Sequence, residues 1–545
     1  MIRKLAKYYH TIKYLKPQQI FWRVIRRFSK VNLDAVSGLT RRLQQQPFQL
    51  LQLYPQSMFK NHRFIFLNQS ERTKQWNDSA LPKLWLYNLH YFDDLNSHNA
   101  DARLDAHCKM IDRWIDQNPA PLGNGWEPYP LSLRIVNWVK WLLRHQQMQH
   151  DQLTLSRSQS LALQAHVLCQ TLEKHLLGNH LFANAKALLF VGLFLKGPAA
   201  DRWLVIALKI LNHEIDEQIL SDGGNFELSP MYHAIMLGDL LDLVNIITAY
   251  QHADCKSLSN KCLMLLPKMF RWLAAMSHPD SKIALFNDAA FTIAPTLAQL
   301  SDYATALGID APPALDSFLH LADTGYIRAN RDAAAVFLDV AKVGADYIPG
   351  HAHADTLSFE LSLFGSRVVV NAGTSCYGLD AIRSYERSTR AHSTVEIDGE
   401  NSSEVWSGFR VARRAVPFDL KINHSVNCDF VVCAHDGYKR LKGKPVHTRS
   451  WLLTDSSLVV ADVVAGDFQQ AIARYHFHPD VQVIFKKGDL HLELPDKRVI
   501  KLVIKSGRPE MELSFYSPEF GVRLETQCLA LHLEGCKAEM EFLWR

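Results

Sequence analysis

Near Gly325 the hydrophobic period of this chain changes from that of helices to that of strands, so one packing scheme cannot serve both halves. Upstream, "DARLDAHCKMIDRWIDQN" sets Leu104, Cys108, Ile111 and Ile115 at helical spacing. "LSLRIVNWVKWLLRHQ" repeats the pattern with Leu131, Ile135, Trp138 and Leu142. Amphipathic runs joined by short loops continue to about Leu321. So long a series of antiparallel helices points to a helical toroid or solenoid rather than a simple bundle. Downstream, "DTLSFELSLFGSRVVVNAG", "SWLLTDSSLVVADVVAG" and "LHLELPDKRVIKLVIKSG" alternate with period two between turn residues. That is the texture of an antiparallel β-sandwich. The expectation is an α+β multidomain chain, since 545 residues exceed one ordinary core. Residues 1–80 form a basic helical or extended segment, 81–324 a toroid of paired helices, and 325–545 the sandwich.

The net charge is only +5, but it is unevenly placed. Nine basic residues from Arg3 to Lys30 precede the first acid, Asp34. Such a segment is either an arm for an anionic partner or membrane surface, or a solvated basic helix pair docked through Leu15, Ile20, Phe21 and Ile25. Apolar residues and Trp22 interleave with the charge, which favours the docked pair. The nine cysteines are scattered, and neither Cys255/Cys262 nor Cys428/Cys433 has CxxC spacing. That argues against a disulfide framework or zinc ribbon and fits a reducing compartment. The N-terminus lacks the apolar core and cleavage site of a secretory signal, so a cytoplasmic location is expected, with the periplasm or cell envelope as the alternative. No apolar run approaches the roughly 18 residues of a membrane span. The longest, Ala187 to Leu195, reads as a core helix.

Five polar clusters stand out. In "NGWEPYPLSLR", Trp126 either stacks on a sugar or closes a packed aromatic turn. Asn179 and His180 open the apolar helix of "GNHLFANAKALLF", where Asn179 taken alone reads as a cap. In "SDGGNFELSPMYH", Ser229 and Pro230 make a good N-cap and first-turn pair. Tyr232 then lies in the first turn, where the helix dipole favours a developing tyrosinate. "IPGHAHADTLSFEL" spaces His351 and His353 two apart, and strict strand alternation would turn both to one face. "YERSTRAHSTVEIDG" brings Arg387, Arg390 and His392 toward another strand. A metal needs three or four ligands, and His353, His392 and Asn371 of "VVVNAG" are candidates; histidines satisfied by hydrogen bonds are the competing account.

Taken in order, "GNHLFANAKAL", "FELSPMYH", "GHAHADTLSFEL" and "RAHSTVEIDG" resemble the signature segments of the heparinase II/III-like polysaccharide lyases. The resemblance runs from roughly Trp85 to the C-terminus. It implies an (α/α) toroid followed by an antiparallel β-sandwich, in agreement with the periodicities. "WLYNLHYFDDL" and "ENSSEVWSGFRVARRA" look like the subgroup associated with bacterial capsule or exopolysaccharide gene clusters. The implied chemistry is β-elimination at a 4-linked uronic acid. The C5 proton is weakly acidic, so the neighbouring carboxylate must be neutralised while a base removes that proton and an acid protonates O4.

Carried over by motif, Asn179 would donate to the carboxylate, and His180 would assist it or act as base for one C5 epimer. Tyr232 would be base and acid, or acid alone. His351 would complete the carboxylate clamp or share the base role. Trp126, Glu227, Arg387 and Arg390 are candidates for substrate binding. No cofactor is required by this chemistry. His353 and His392 match two ligands of a structural zinc site in some members. Asn371 stands where those members have aspartate, and an amide is a poorer zinc ligand than a carboxylate. The alternative is that Asn371 hydrogen-bonds His353 without metal. With His351 facing substrate and His353 organising the sheet beneath, the backbone at Gly350 must be looped.

The expected partner is an acidic polysaccharide or oligosaccharide, not nucleic acid, and no feature of the sequence sets an oligomeric state. A glycoside hydrolase on the same scaffold would need two facing carboxylates, with Glu127, Asp222 and Glu227 as candidates. A non-catalytic role in binding or assembling polysaccharide would have no need of Asn179, His180, Tyr232 and His351 together.

Overall fold

The computed structural model describes residues 2–34, 36–310, 315–486 and 489–544. Its first half is helical. Helices Gly178–Phe194 and Pro230–Tyr250 are apolar nearly all round and lie buried. The second is long and apolar enough to cross a membrane, but most of it is packed inside the protein. Helices Pro128–Gln147, Pro198–Gln218 and Lys256–Ala275 pack against them, and the amphipathic Leu104–Gln117 lies further out. The result is an (α/α) toroid whose core holds Trp114, Trp138, Trp141 and Trp203.

From Phe318 onward the chain is mainly antiparallel sheet, interrupted by the short helix Ala381–Glu386. Strands between Phe318 and Val369 form a five-stranded sheet in simple meander order. A four-stranded sheet contains Ala471–His476 and Leu524–His532, and an eight-stranded sheet contains Val446–Leu453 and Lys537–Leu543. One apolar core joins all three, with Phe359, Tyr475, Trp451 and Phe542 meeting inside it, which makes this half a β-sandwich.

The halves interlock. Trp272 and Phe286 share a cluster with Tyr326 and Phe337, and Met231 and Leu285 share another with Val370 and Tyr516. Asp222 accepts from the backbone N–H (2.8 Å) and hydroxyl (2.8 Å) of Thr324. A Cβ on Gly224 would lie 2.3 Å from Cγ2 of Thr324 and 2.4 Å from Nε1 of Trp272, so only glycine lets the chain pass this joint.

Helices Ile2–Ile12 and Pro17–Phe28 lie on the outside. The expectation that Ile20, Phe21 and Ile25 dock them is corrected: these residues are 47%, 56% and 37% exposed. Polar and aromatic contacts hold the pair instead. The Lys16 ammonium sits 3.9 Å from the Tyr347 ring centre, Arg414 lies 3.8 Å over Tyr14, and Trp406 donates to the Thr11 hydroxyl at 3.2 Å.

Candidate active site

A cleft of ≈ 530 Å³ runs along the toroid and reaches the β half at Tyr377 and Phe520. Two helix N-termini meet at it. Leu177 (φ +67°) and Gly178 (φ +58°) turn the chain into helix Gly178–Phe194. Leu177 occupies the cap position, so Asn179 does not cap, and it lines the cleft. His180 stacks on Tyr129 with ring centres 4.6 Å apart, and its Nδ1 is 3.1 Å from Oε1 of Glu173. Asn184 fixes Glu173, accepting its backbone N–H (2.8 Å) and donating to Oε2 (3.2 Å). Burial works against protonating His180, but Glu173 outweighs it and raises the imidazole pKa.

Glu227 lies on the turn before the second helix. It is 3% exposed, and among the described residues neither carboxyl oxygen completes a hydrogen bond. Burial raises its pKa against the pull of His351 and His180. Ser229 then caps helix Pro230–Tyr250: its Oγ accepts the Tyr232 N–H (3.2 Å) and donates to the Asp288 carbonyl (2.6 Å). Tyr232 follows, its phenol oxygen 3.0 Å from that of Tyr377 and its ring centre 3.9 Å from that of His351. Burial, then the neighbouring Tyr377, pushes the Tyr232 pKa well above the usual tyrosine value, so the resting phenol keeps its proton.

Asp288 organises the other wall. It is 0% exposed. Oδ2 accepts from Nδ1 of His351 (2.9 Å) and Nη2 of Arg383 (2.7 Å). Oδ1 accepts from Nε2 of His353 (2.8 Å) and from Nη1 of Arg383. Burial alone would raise its pKa, yet Arg383 and the two imidazoles hold it well below the carboxylate range. An ionised Asp288 accepts from Nδ1 of His351, so that nitrogen carries a proton, and the other ring nitrogen, Nε2, lies 3.5 Å from Oε2 of Glu227. Pro349–His351 is a 3-10 turn and the strand begins only at Phe359. The backbone here is looped, as expected, and the two imidazoles converge on the two oxygens of one carboxylate instead of dividing between substrate and sheet.

The proposed metal set does not converge. Asn371 Oδ1 lies 3.0 Å from Nδ1 of His392, whereas His353 addresses Nε2 of that same ring at 3.2 Å. The two nitrogens point away from each other, so no one point lies within about 2.2 Å of all three donors. As arranged, they form a hydrogen-bonded chain ending on Asp288, in which Asn371 partners His392 rather than His353. Turning the Asn371 amide lets its otherwise unpartnered Nδ2 donate to His392 Nδ1, and His392 Nε2–H then donates to His353.

Other expected site residues lie elsewhere. Trp126 is 5% exposed, its ring centre 5.6 Å from that of Trp114 and its indole N–H given to the Asn118 carbonyl at 3.0 Å. It packs a turn and offers no face to a sugar. Arg387 is buried with its guanidinium on the Ala352 carbonyl (2.9 Å), and Arg390 pairs with Glu512 (3.3 Å) outside the cleft lining. Glu127 contacts Lys83 at 2.9 Å, and Asp222 is committed to Thr324.

Sequence reasoning missed Asp288, Arg383 and Tyr377. The signal for Asp288 was its setting, "IALFNDAAF", since an acid among apolar residues needs a partner. It also missed the far end of the cleft. There Lys186 contacts Asp239 (2.5 Å) and Asp242 (2.5 Å), and Lys140 contacts Asp242 (2.6 Å). Burial lifts the pKa of nearby Asp93 to about 6. Among the described lining residues the acids are Asp93, Glu227, Asp239, Asp242 and Glu519, and the only lysines or arginines are these two paired lysines.

Residues 10–308 match the family description Heparinase II/III N-terminus, and residues 313–544 match Heparinase II/III-like, C-terminal. A heparin-sulfate lyase of Bacteroides stercoris is 25% identical over 333 residues, covering 57% of this chain and 47% of that protein. A heparin-sulfate lyase of Pedobacter heparinus is 28% identical over 252 residues, covering 41% and 36%. The chain thus spans less than half the length of the curated relatives it matches. The crystal structure of heparinase III superposes with a TM-score of 0.68 at 18% identity, over 87% of this chain and 79% of that one, and so shares the fold.

Proposed function

The chain belongs to the heparinase II/III-like family, and from that premise we propose that it is a lyase cleaving a uronic-acid polysaccharide by β-elimination. The observation that carries the reading is the pairing of Tyr232 with His351 beside Asn179, with His351 held by buried Asp288. Asn179 and the protonation-prone His180 neutralise the uronate carboxylate, which stabilises the enolate-like intermediate. The raised pKa of Tyr232 suits it to give a proton to the departing O4 rather than to act as the resting base. His351, oriented by Asp288 as in an Asp–His pair, presents Nε2 to take the C5 proton. Glu227, at the cleft wall beside His351, contacts the substrate.

The substrate in this reading is a uronate polymer poor in sulfate, drawn from bacterial capsule or exopolysaccharide metabolism. Two features support that refinement. The segments "WLYNLHYFDDL" and "ENSSEVWSGFRVARRA" resemble the capsule-associated subgroup, and the described cleft lining offers no lysine or arginine free of a carboxylate. A sulfated sugar would meet uncompensated acids there, at a cost in binding.

The test follows the ultraviolet absorbance of the conjugated C4–C5 double bond over a panel of sulfated and unsulfated uronate polymers. Absorbance should rise on an unsulfated polymer with the native chain, and Tyr232→Phe should lower the rate about 10²–10⁴-fold. New reducing ends without absorbance would replace the lyase reading with a hydrolase. Preference for heavily sulfated polymers would overturn the refinement alone.

A further inference from the structure

The N-terminal helix pair turns its apolar side away from the protein. In helix Pro17–Phe28 the residues toward the body are Gln19, Trp22 and Arg26: Gln19 is buried, Trp22 lies under Lys174 at 4.4 Å, and Arg26 contacts His175 at 2.7 Å. The opposite stripe is Ile20 (47% exposed), Phe21 (56%), Val24 (54%) and Phe28 (80%). Helix Ile2–Ile12 does the same, seating Thr11 on Trp406 and leaving Leu5 (61%), Tyr9 (67%) and Ile12 (51%) outward. A contiguous apolar face of this kind on a folded protein marks an interaction surface.

Charge identifies the occupant. Nine cations and no acid lie before Asp34, while the chain as a whole carries only +5. Lys4, Lys13, Arg23, Arg27 and Lys30 are exposed around the outward stripes. Bulky apolar residues flanked by cations on a short amphipathic helix fit the headgroup boundary of an anionic bilayer, where the side chains insert and the charges meet lipid phosphates. We propose that these two helices attach the protein peripherally to an anionic lipid surface, lying in the interface plane without crossing it.

The experiment is co-sedimentation of the purified full chain with vesicles of phosphatidylglycerol and phosphatidylcholine, compared with phosphatidylcholine alone, at low and high salt. The native chain should pellet with the anionic vesicles at low salt, and high salt should release it. The triple variant Phe21→Ser, Val24→Ser, Phe28→Ser should lose at least about tenfold in partitioning, since each buried CH₂ contributes about 0.8 kcal/mol. Its melting temperature should stay unchanged, because these side chains face solvent. Arg27→Ala with Lys30→Ala should lower partitioning about fivefold per charge. Failure to pellet with anionic vesicles, equal binding to both vesicle types, or undiminished binding of the triple variant would each overturn the proposal. If sedimentation velocity then finds a native oligomer that the triple variant lacks, the face pairs two copies of the chain.

Discussion

Asp288 accepts from two imidazoles and from the Nη1 and Nη2 of Arg383, and each donor is buried or nearly so. Asp288→Asn leaves Arg383 inside the protein without its counter-charge, so a loss of about 3–5 kcal/mol is expected in urea denaturation. Arg383→Met combined with Asp288→Asn should recover part of that loss, because the uncompensated charge is gone. The contribution of Asp288 is present above the ordinary aspartate pKa of about 3.9 and is lost only as the pH falls through its depressed folded value. Asn179, His180, Tyr232 and His351 could be picked out in the sequence because each sits in a short contiguous motif. Asp288 left only the weak signal of an acid in an apolar run and Arg383 none, because their pairing joins positions 95 residues apart, and no local pattern encodes that.

Ser229 shows how an element carries a residue into place. Its hydroxyl caps helix Pro230–Tyr250 and also holds the Asp288 carbonyl. Ser229→Ala should cost about 0.5–2 kcal/mol of stability. In the proposed reaction it should lower kcat more than it raises KM, since it frees the helix turn that aims Tyr232. Steady-state kinetics beside a denaturation curve separates the two effects. The helices of the toroid were legible because their apolar period is long and strong. The segment at Ile348–Ser358 was harder: its alternation reads as the approach to a strand, yet hydrogen bonds that it donates to Asn287 and Asp288 hold it as a loop. The N-terminal helices failed differently. Periodicity gave them an apolar face but not what lies opposite it.

Over the whole molecule, shared clusters such as Trp272 with Tyr326 predict one cooperative unfolding transition by calorimetry rather than one for each half. Acid should weaken that transition early. His90 donates to the Trp76 carbonyl (2.9 Å) and accepts from the Trp114 indole (3.0 Å), so a second proton has no place, and burial lowers its pKa to about 3. His233 is held in the same way between the Met269 carbonyl and the Asn225 N–H and is also lowered to about 3; burial and Arg367 lower His278 to about 4. Below about pH 6.5 the unfolded chain takes up protons that the folded chain refuses, so stability falls with pH by up to about 1.4 kcal/mol per unit for each such histidine. Buried carboxylates raised by burial, Asp93 and Asp355 to about 6 and also Glu214, Glu227, Asp239, Asp339 and Glu386, act in the opposite sense and offset part of this, while His145, His175, His353, His392, His435 and His476, lowered by burial, add to it. The urea midpoint should therefore be lower at pH 4.5 than at pH 7.

The joint at Asp288 also bears on how such a chain can change over generations. The carboxylate comes from the loop between the last two helices of the toroid, Lys256–Ala275 and Leu297–Ala306, while its donors come from the sandwich half. A substitution at 288 is therefore judged by what stands at 351, 353 and 383, and the reverse holds as well. Exchanging one half for that of a distant relative would keep this joint only if the incoming half carried matching partners at these positions.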